Sequence, residues 1–499
     1  MDPKLDHPQA GAPNSKLILG CFLVISLCLL VPSRSNSDQI KARPAIAAGK
    51  YYPASTPILL REIDRIIDES PEHLILGRLI ALTVPYASID HSGRVAAYVY
   101  KLLRGSRFKT VVLIGASVDR EFPAISVDKT KAYETPLGRI LIDTDLAEGL
   151  IAEHEKIDFY PQIHKEDYAL EIQLPFLQRT LKDFSIVPVI MGNQSDHYCQ
   201  ILARALINQL KGRKDVLILA VSNLSRFYPY MKTRAMDKVA LDAMAAFDPR
   251  GLLQKLSTKK CEMSGGGAVV TALLVAKELG ADHSEILNYA TSADRDIPDT
   301  SKIVHRVVGY SASAIYTTDQ LSRQAGLSLL KTAQDSIKEY LEGRLPEDVK
   351  AADPKFSELR GVYITLLDDH GQVLAEAGHL LPVRPLDKAV QELSIRAATS
   401  PLPQYSPLSA ADLDKVKVEL SILSPLKEAK SPNLIEPGTH GVAIESGWQQ
   451  RVILPQRALE AGWSREELMR RLCRQAGLPE QEWPREGKVY IFTAQVFHN

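Results

Sequence analysis

The strongest constraint on the fold is a set of four short, uncharged, β-branched-rich runs, at residues 79–84, 110–114, 186–190 and 216–221. None alternates apolar with polar residues, which is how strands covered on both faces read. Stretches with helical apolar spacing lie before and between them, at 56–70, 93–103, 168–181 and 197–210, and two more follow at 233–246 and 268–279. Strand, helix, strand at this spacing predicts an α/β domain with a mixed, largely parallel sheet covered by helices. The pattern closes near residues 307–316, and 317–326 is read as a linker. From 327 onward the order changes to strand pairs with segregated helices, which predicts an α+β domain over 327–499.

Residues 17–31 (LILGCFLVISLCLLV) form an uncharged run of about 15 residues, the length of a signal-peptide core and short of the ~20 a spanning helix needs. Residues 1–39 are therefore expected to be a signal peptide or an N-terminal anchor. That makes the rest of the chain an exported protein, tethered by 17–31 if the segment is kept. Lys plus Arg (60) equals Asp plus Glu (60), so no global field favours nucleic acid. The three cysteines beyond that run, Cys199, Cys261 and Cys473, form no CxxC pair, so neither a disulfide framework nor a zinc knuckle is readable.

Ligands of open α/β sheets collect beyond the carboxyl ends of the strands. On that rule the candidate ligand-binding residues are Tyr86 and His91 after the first run, Ser117 to Asp119 after the second, and Asn223 with Arg226 after the fourth. Turn and cap roles explain the same residue types. The stretch 261–267 (CEMSGGG) opens a helix, so Cys261 is a weak catalytic candidate and the amides around Gly265 are candidates for an anion. His164, Tyr168 and Glu171 gather imidazole, phenol and carboxylate near another helix start.

These turns, taken together, resemble the Memo family, protein B of the AmmeMemoRadiSam gene set, whose fold is similar to class III extradiol dioxygenases. The family's VPHAGYxYSG looks like residues 84–93 (VPYASIDHSG), and its VVLIGPSH like 111–118 (VVLIGASV). TPLG stands at 135–138, HxxEHSLEVQLPFLQ corresponds to 164–178 (HKEDYALEIQLPFLQ), and VVGY to 307–310. The resemblance places this domain at 40–316. It implies a metal pocket lined by three histidines and a cysteine, but those places hold Tyr86, Val118, Arg226 and Cys261. Tyr168 and Asn223 replace a further histidine and an aspartate. An iron or copper site built on imidazoles needs two or three such donors, so no metal and no cofactor is expected, and a metalloenzyme would recruit ligands from elsewhere, such as His91, Asp119 and Glu171.

The C-terminal part resembles the AMMECR family, protein A of the same gene set, through 361–366 (GVYITL), 418–423 (VELSIL), 438–442 (GTHGV) and 472–478 (LCRQAGL). Its LRGCIG element is represented by 374–379 (LAEAGH), with Ala375 and Ala377 where the arginine and cysteine stand. The chain reads as a fusion with degenerate sites: a non-catalytic protein that binds a small anionic ligand, a peptide or a partner protein. A rival reading makes Cys261 a thiol nucleophile or redox group. The gene-set resemblance also implies association with a radical-SAM protein.

Overall fold

The structure, a computed structural model, describes residues 42–499 apart from 74, 76, 118–119, 295–305, 319, 345–352, 447–448, 481–482, 484–486 and 499. The expected N-terminal segment, Val118 and Asp119 therefore lie outside the described residues. Among the described residues, no helix is long and apolar enough to cross a membrane.

The four uncharged runs are all strands, at Arg78–Val84, Thr110–Ala116, Ser185–Met191 and Val216–Val221. Thr110–Ala116 lies between Ser185–Met191 and Val216–Val221, parallel to both, and Val216–Val221 is in turn parallel to Arg78–Val84. Every residue of Thr110–Ala116 and Val216–Val221 is buried. That requires cover on both faces, which is why these runs lack a polar alternation. Antiparallel strands extend the sheet: Val307–Thr317 pairs with Arg78–Val84, and His283–Thr291 pairs with Val307–Thr317. The sheet has 12 strands, so the expected mixed, largely parallel α/β domain is the one observed.

Helix Thr56–Glu69 buries Leu59, Ile63, Ile66 and Ile67, four of the five apolar positions at helical spacing, and leaves the fifth, Ile58, exposed. The expected helix over 168–181 is instead a short 3-10 turn, Glu171–Gln173, leading into a helix of seven residues, Leu174–Thr180. Pro175 sits in the first turn of that helix, where its missing N–H costs nothing.

Helix Arg323–Leu341, capped by Ser322, starts inside the stretch read as a linker. Two four-stranded antiparallel sheets follow, which is the expected α+β arrangement. In the first, Val373–His379, Val362–Leu367, Lys417–Leu423 and Ala494–His498 lie side by side, and helices Arg323–Leu341 and Leu386–Thr399 cover one face. The second holds Lys427–Ala429, Lys488–Phe492, Gly441–Ser446 and Gln449–Ile453. The final apolar run, residues 488–498, is two strands in different sheets. It divides at Thr493, whose N–H donates to Ser424 Oγ at 2.9 Å while Ser424 N–H donates to Thr493 O at 2.9 Å.

Candidate functional site at the carboxyl ends of the parallel strands

Three turns converge beyond the carboxyl ends of the parallel strands. Tyr86 N–H donates to Asn223 Oδ1 at 2.8 Å, and Asn223 Nδ2 donates back to Tyr86 O at 2.7 Å. Asn223 N–H donates to Ser264 Oγ at 2.9 Å, and Ser264 N–H donates to Asn223 O at 3.0 Å. The sequence candidates Tyr86, Asn223 and the glycine turn are thus brought together, chiefly by bonds between the Asn223 and Ser264 side chains and the backbone.

Two amides of the glycine turn are already taken: Gly265 N–H donates to Ser222 Oγ at 2.9 Å, and Gly267 N–H donates to Gln194 Oε1 at 2.8 Å. An anion at this turn would have to compete with those side chains for the two amides. A Cβ on Gly265 would lie 2.3 Å from Val221 O, so glycine is needed for the close approach of turn and strand.

A cavity of about 310 Å³ opens beside this turn, lined by Gln194, Arg226, Lys259, Cys261, Glu262 and Ser264 among others. Arg226 and Lys259 are exposed at its mouth, and Glu262 accepts a hydrogen bond from Tyr228 at 2.6 Å. Cys261 is buried, and burial pushes its thiol above the usual cysteine range; nearby Lys255 only partly offsets this. The thiolate needed for nucleophilic attack is therefore disfavoured. Gln194 and Lys259 were missed from sequence. Gln194 follows strand Ser185–Met191, so the carboxyl-end rule applied to that strand as well would have found it.

Tyr86 and Tyr168, at places where the family resemblance implies histidines, belong to an aromatic cluster. Tyr168 stacks on Tyr51 with ring centroids 4.4 Å apart, and Tyr86 meets Tyr168 edge-on at 6.2 Å. His91 is exposed at the start of its helix, with Nδ1 2.6 Å from Ser88 Oγ, and Ser117 N–H donates to Met191 O. Neither lines the cavity.

Glu171 is fully buried and away from the cavity's lining, which corrects its place among the ligand-binding candidates. Its carboxylate accepts from Arg43 Nη1 at 2.5 Å, Ala47 N–H and Tyr52 Oη at 2.7 Å, and Ile46 N–H at 3.0 Å. It anchors the first described residues to the domain. His164 is also buried, with Nε2 2.8 Å from Ser126 Oγ and Nδ1 3.8 Å from Asp128. All three are sealed from solvent, so this serine–histidine–aspartate grouping has no route to a substrate. Burial holds the His164 imidazole down at about 4, hence neutral.

Among the described residues, no group of three His, Cys, Asp or Glu side chains is placed to hold a metal ion. A phenol, a guanidinium and a buried thiol do not make the imidazole-rich donor set that iron or copper needs.

A family model described as Memo-like protein matches residues 43–313, more than half of the chain. The chain belongs to the Memo family. A second model, AMMECR1, matches residues 330–497, so the protein is a fusion of a Memo domain with an AMMECR domain. MEMO1 family proteins from Ignicoccus hospitalis and Methanosarcina barkeri are each 32% identical over 54% of this chain, covering 97% and 98% of those relatives. A crystal structure of an uncharacterized protein from Pyrococcus horikoshii is 30% identical, with a TM-score of 0.35, over 36% of this chain and 93% of that one.

In the AMMECR domain, Ala375 and Ala377 face the apolar core beneath helices Arg323–Leu341 and Leu386–Thr399. Their replacement of arginine and cysteine therefore does not decide what the opposite face of the sheet can do. On that opposite face a register row runs Glu376, Thr365, Glu419. Arg457 Nη2 donates to Glu419 at 2.6 Å, and Gln456 Nε2 bridges Glu419 at 3.0 Å and Ser421 at 2.8 Å. Desolvation by its neighbours raises the Glu376 carboxyl above its ordinary range although the residue is exposed to solvent, and Arg457 works against that shift.

Proposed function

We propose that this Memo–AMMECR fusion is a non-catalytic binding protein whose Memo cleft takes the anionic group of a small ligand or peptide. The observation that carries this reading is the pair of cations, Arg226 and Lys259, at the mouth of a cavity whose only thiol, Cys261, is buried and held protonated. Guanidinium and ammonium groups suit carboxylate and phosphate, and a fixed positive charge opposes a metal cation. The proposal includes export, with residues 17–31 as signal or tether; it rests on the length and flanks of that run. A radical-SAM protein as a working partner follows from the gene-set resemblance alone.

The test pairs elemental analysis of the purified protein with calorimetric titration of citrate and inorganic phosphate. Saturable binding of either anion, weakened roughly tenfold by Arg226→Ala, supports the reading. Stoichiometric iron, copper or zinc that disappears in Cys261→Ala would overturn it and turn attention to metal chemistry.

A further inference from the structure

The chain is neutral overall, yet one surface is not. Residues 226–234 (RFYPYMKTR) contain three cations and no acid. Lys259 lines the same cavity as Arg226, and the Arg306 guanidinium lies 5.0 Å from the centre of the Phe227 ring. Among the described residues, two carboxylates bond to this segment, and its tyrosines engage both: Tyr228 donates to Glu262 at 2.6 Å and Tyr230 to Asp294 at 2.9 Å.

Two large apolar side chains project from this basic segment. Phe227 is 57% exposed and Met231 76% exposed. Phe227 also has φ of 66°, the left-handed region that a bulky residue adopts only at a cost. Burial does not offset that cost, because the ring points largely into solvent. Strand Arg226–Tyr228 ends the path of the large sheet, so nothing further in that path covers it.

We propose that this segment docks the Memo domain onto an anionic lipid bilayer. Exposed Phe and Met beside Tyr, Lys and Arg is the composition of an interfacial contact, in which apolar side chains enter the headgroup boundary and cations meet anionic lipid. Each half needs the other: two side chains bury too little apolar area to hold a protein alone, and cations alone do not require a phenylalanine held outward under strain. Charge complementarity selects an anionic surface. A retained apolar run at 17–31 would hold the domain near such a surface. Docked this way, the mouth of the cleft at Arg226 faces the bilayer. The docking does not depend on the anion reading of the cleft, so either can fail while the other stands.

The test uses the unit from Lys41 onward, which carries every buried core cluster from Ala47 to Phe497 and lacks the apolar N-terminal run. It is sedimented with vesicles of phosphatidylcholine alone, and with vesicles containing roughly one third phosphatidylglycerol, at low and high salt. Binding to the anionic vesicles only, lost at high salt, is expected. Lys232→Glu with Arg234→Glu should weaken it by roughly tenfold or more, and Met231→Ser should weaken it at constant charge. Phe227→Gly separates docking from folding: it relieves the backbone, so the melting temperature should hold or rise while vesicle binding falls. Equal binding to neutral vesicles, no binding to either kind, or binding indifferent to these substitutions would overturn the proposal. Displacement from the vesicles by an acidic peptide, with the Phe227→Gly variant displaced from an equally tight complex, would also overturn it and assign the patch to a protein partner.

Discussion

Tyr86 and Asn223 exchange two hydrogen bonds, at 2.8 and 2.7 Å, that clip the turns after strands Arg78–Val84 and Val216–Val221 to each other. The clip uses an amide as both acceptor and donor, and a carboxylate supplies only acceptors. Asn223→Asp is therefore expected to cost about 1–3 kcal/mol, since Tyr86 O loses its donor and faces a negative charge. Urea unfolding at neutral pH measures this. Part of the loss should return at acid pH, where a protonated aspartate can donate; an unchanged midpoint at neutral pH would show that the clip carries no stability.

Glu171 gives a large expected stability effect. Removing it leaves the Arg43 guanidinium, only 6% exposed, without its carboxylate, along with two backbone amides and the Tyr52 hydroxyl. Breaking a buried pair from one side typically costs about 3–5 kcal/mol. Glu171→Ala should show that loss in chemical denaturation and should expose the chain near residues 43–52 to protease. Cavity binding of citrate should survive wherever the variant remains folded, because Glu171 does not line the cavity.

The same pair shows what sequence could and could not say. A carboxylate near a helix start looks alike whether its partner is water or an arginine 128 residues upstream, so Glu171 read as a site residue. The four central strands were legible because burial on both faces leaves a compositional mark on each residue. Short strands such as Ile125–Val127 and Ala132–Thr135, three and four residues long, leave too brief a mark. The split of the last run at Thr493 depends on Ser424, a contact 69 residues away, and no local pattern encodes it. At the site, the strand-end rule found Tyr86, Asn223 and Arg226, and the run of glycines opening a helix found the turn. Neither could show that Ser222 and Gln194 already occupy the Gly265 and Gly267 amides, because that depends on side-chain direction.

His164 and Asp167 predict an acid response in which two titrations oppose each other. Burial lowers His164 to about 4, so between its ordinary value near 6.5 and about 4 the unfolded chain binds the proton and stability falls as pH falls. Burial raises Asp167 to about 6, so between about 6 and its ordinary value near 3.8 the folded chain binds the proton and stability rises as pH falls. The two offset each other between about pH 6 and 4. Asp167→Asn keeps an acceptor for Leu170 N–H, now at 3.0 Å from the carboxylate, but removes the compensating proton. Its denaturation free energy should fall more steeply than wild type over that window, by about 1.4 kcal/mol per pH unit at most.

Cys261 should label slowly. Its thiol is buried and shifted upward, so iodoacetamide at mild alkaline pH should modify it much more slowly than a free cysteine, and unfolding should release the full rate. Fast native labelling with an apparent pKa under the ordinary ~8.5 would restore the thiol-enzyme reading.

Arg457 and Glu376 should behave oppositely on the inner face of the AMMECR sheet. Arg457 is the cation bonded to the buried Glu419, and the solvent-exposed Glu376 lies in the same register row, so Arg457→Met leaves the Glu419 carboxylate without its cation and with a second carboxylate across Thr365. A loss of about 3–5 kcal/mol is expected at neutral pH. Glu376→Gln removes a solvent-exposed carboxylate whose charge is disfavoured by desolvation and by Glu419, so it should leave stability unchanged or raise it slightly. The sign is set by linkage: a carboxyl raised on folding destabilises the native state as pH climbs through its folded value. The benefit of Glu376→Gln should therefore grow from acid to neutral pH and then level off. Loss of stability in Glu376→Gln at every pH would instead mean that the ionised Glu376 is held by Arg457 as firmly as Glu419 is.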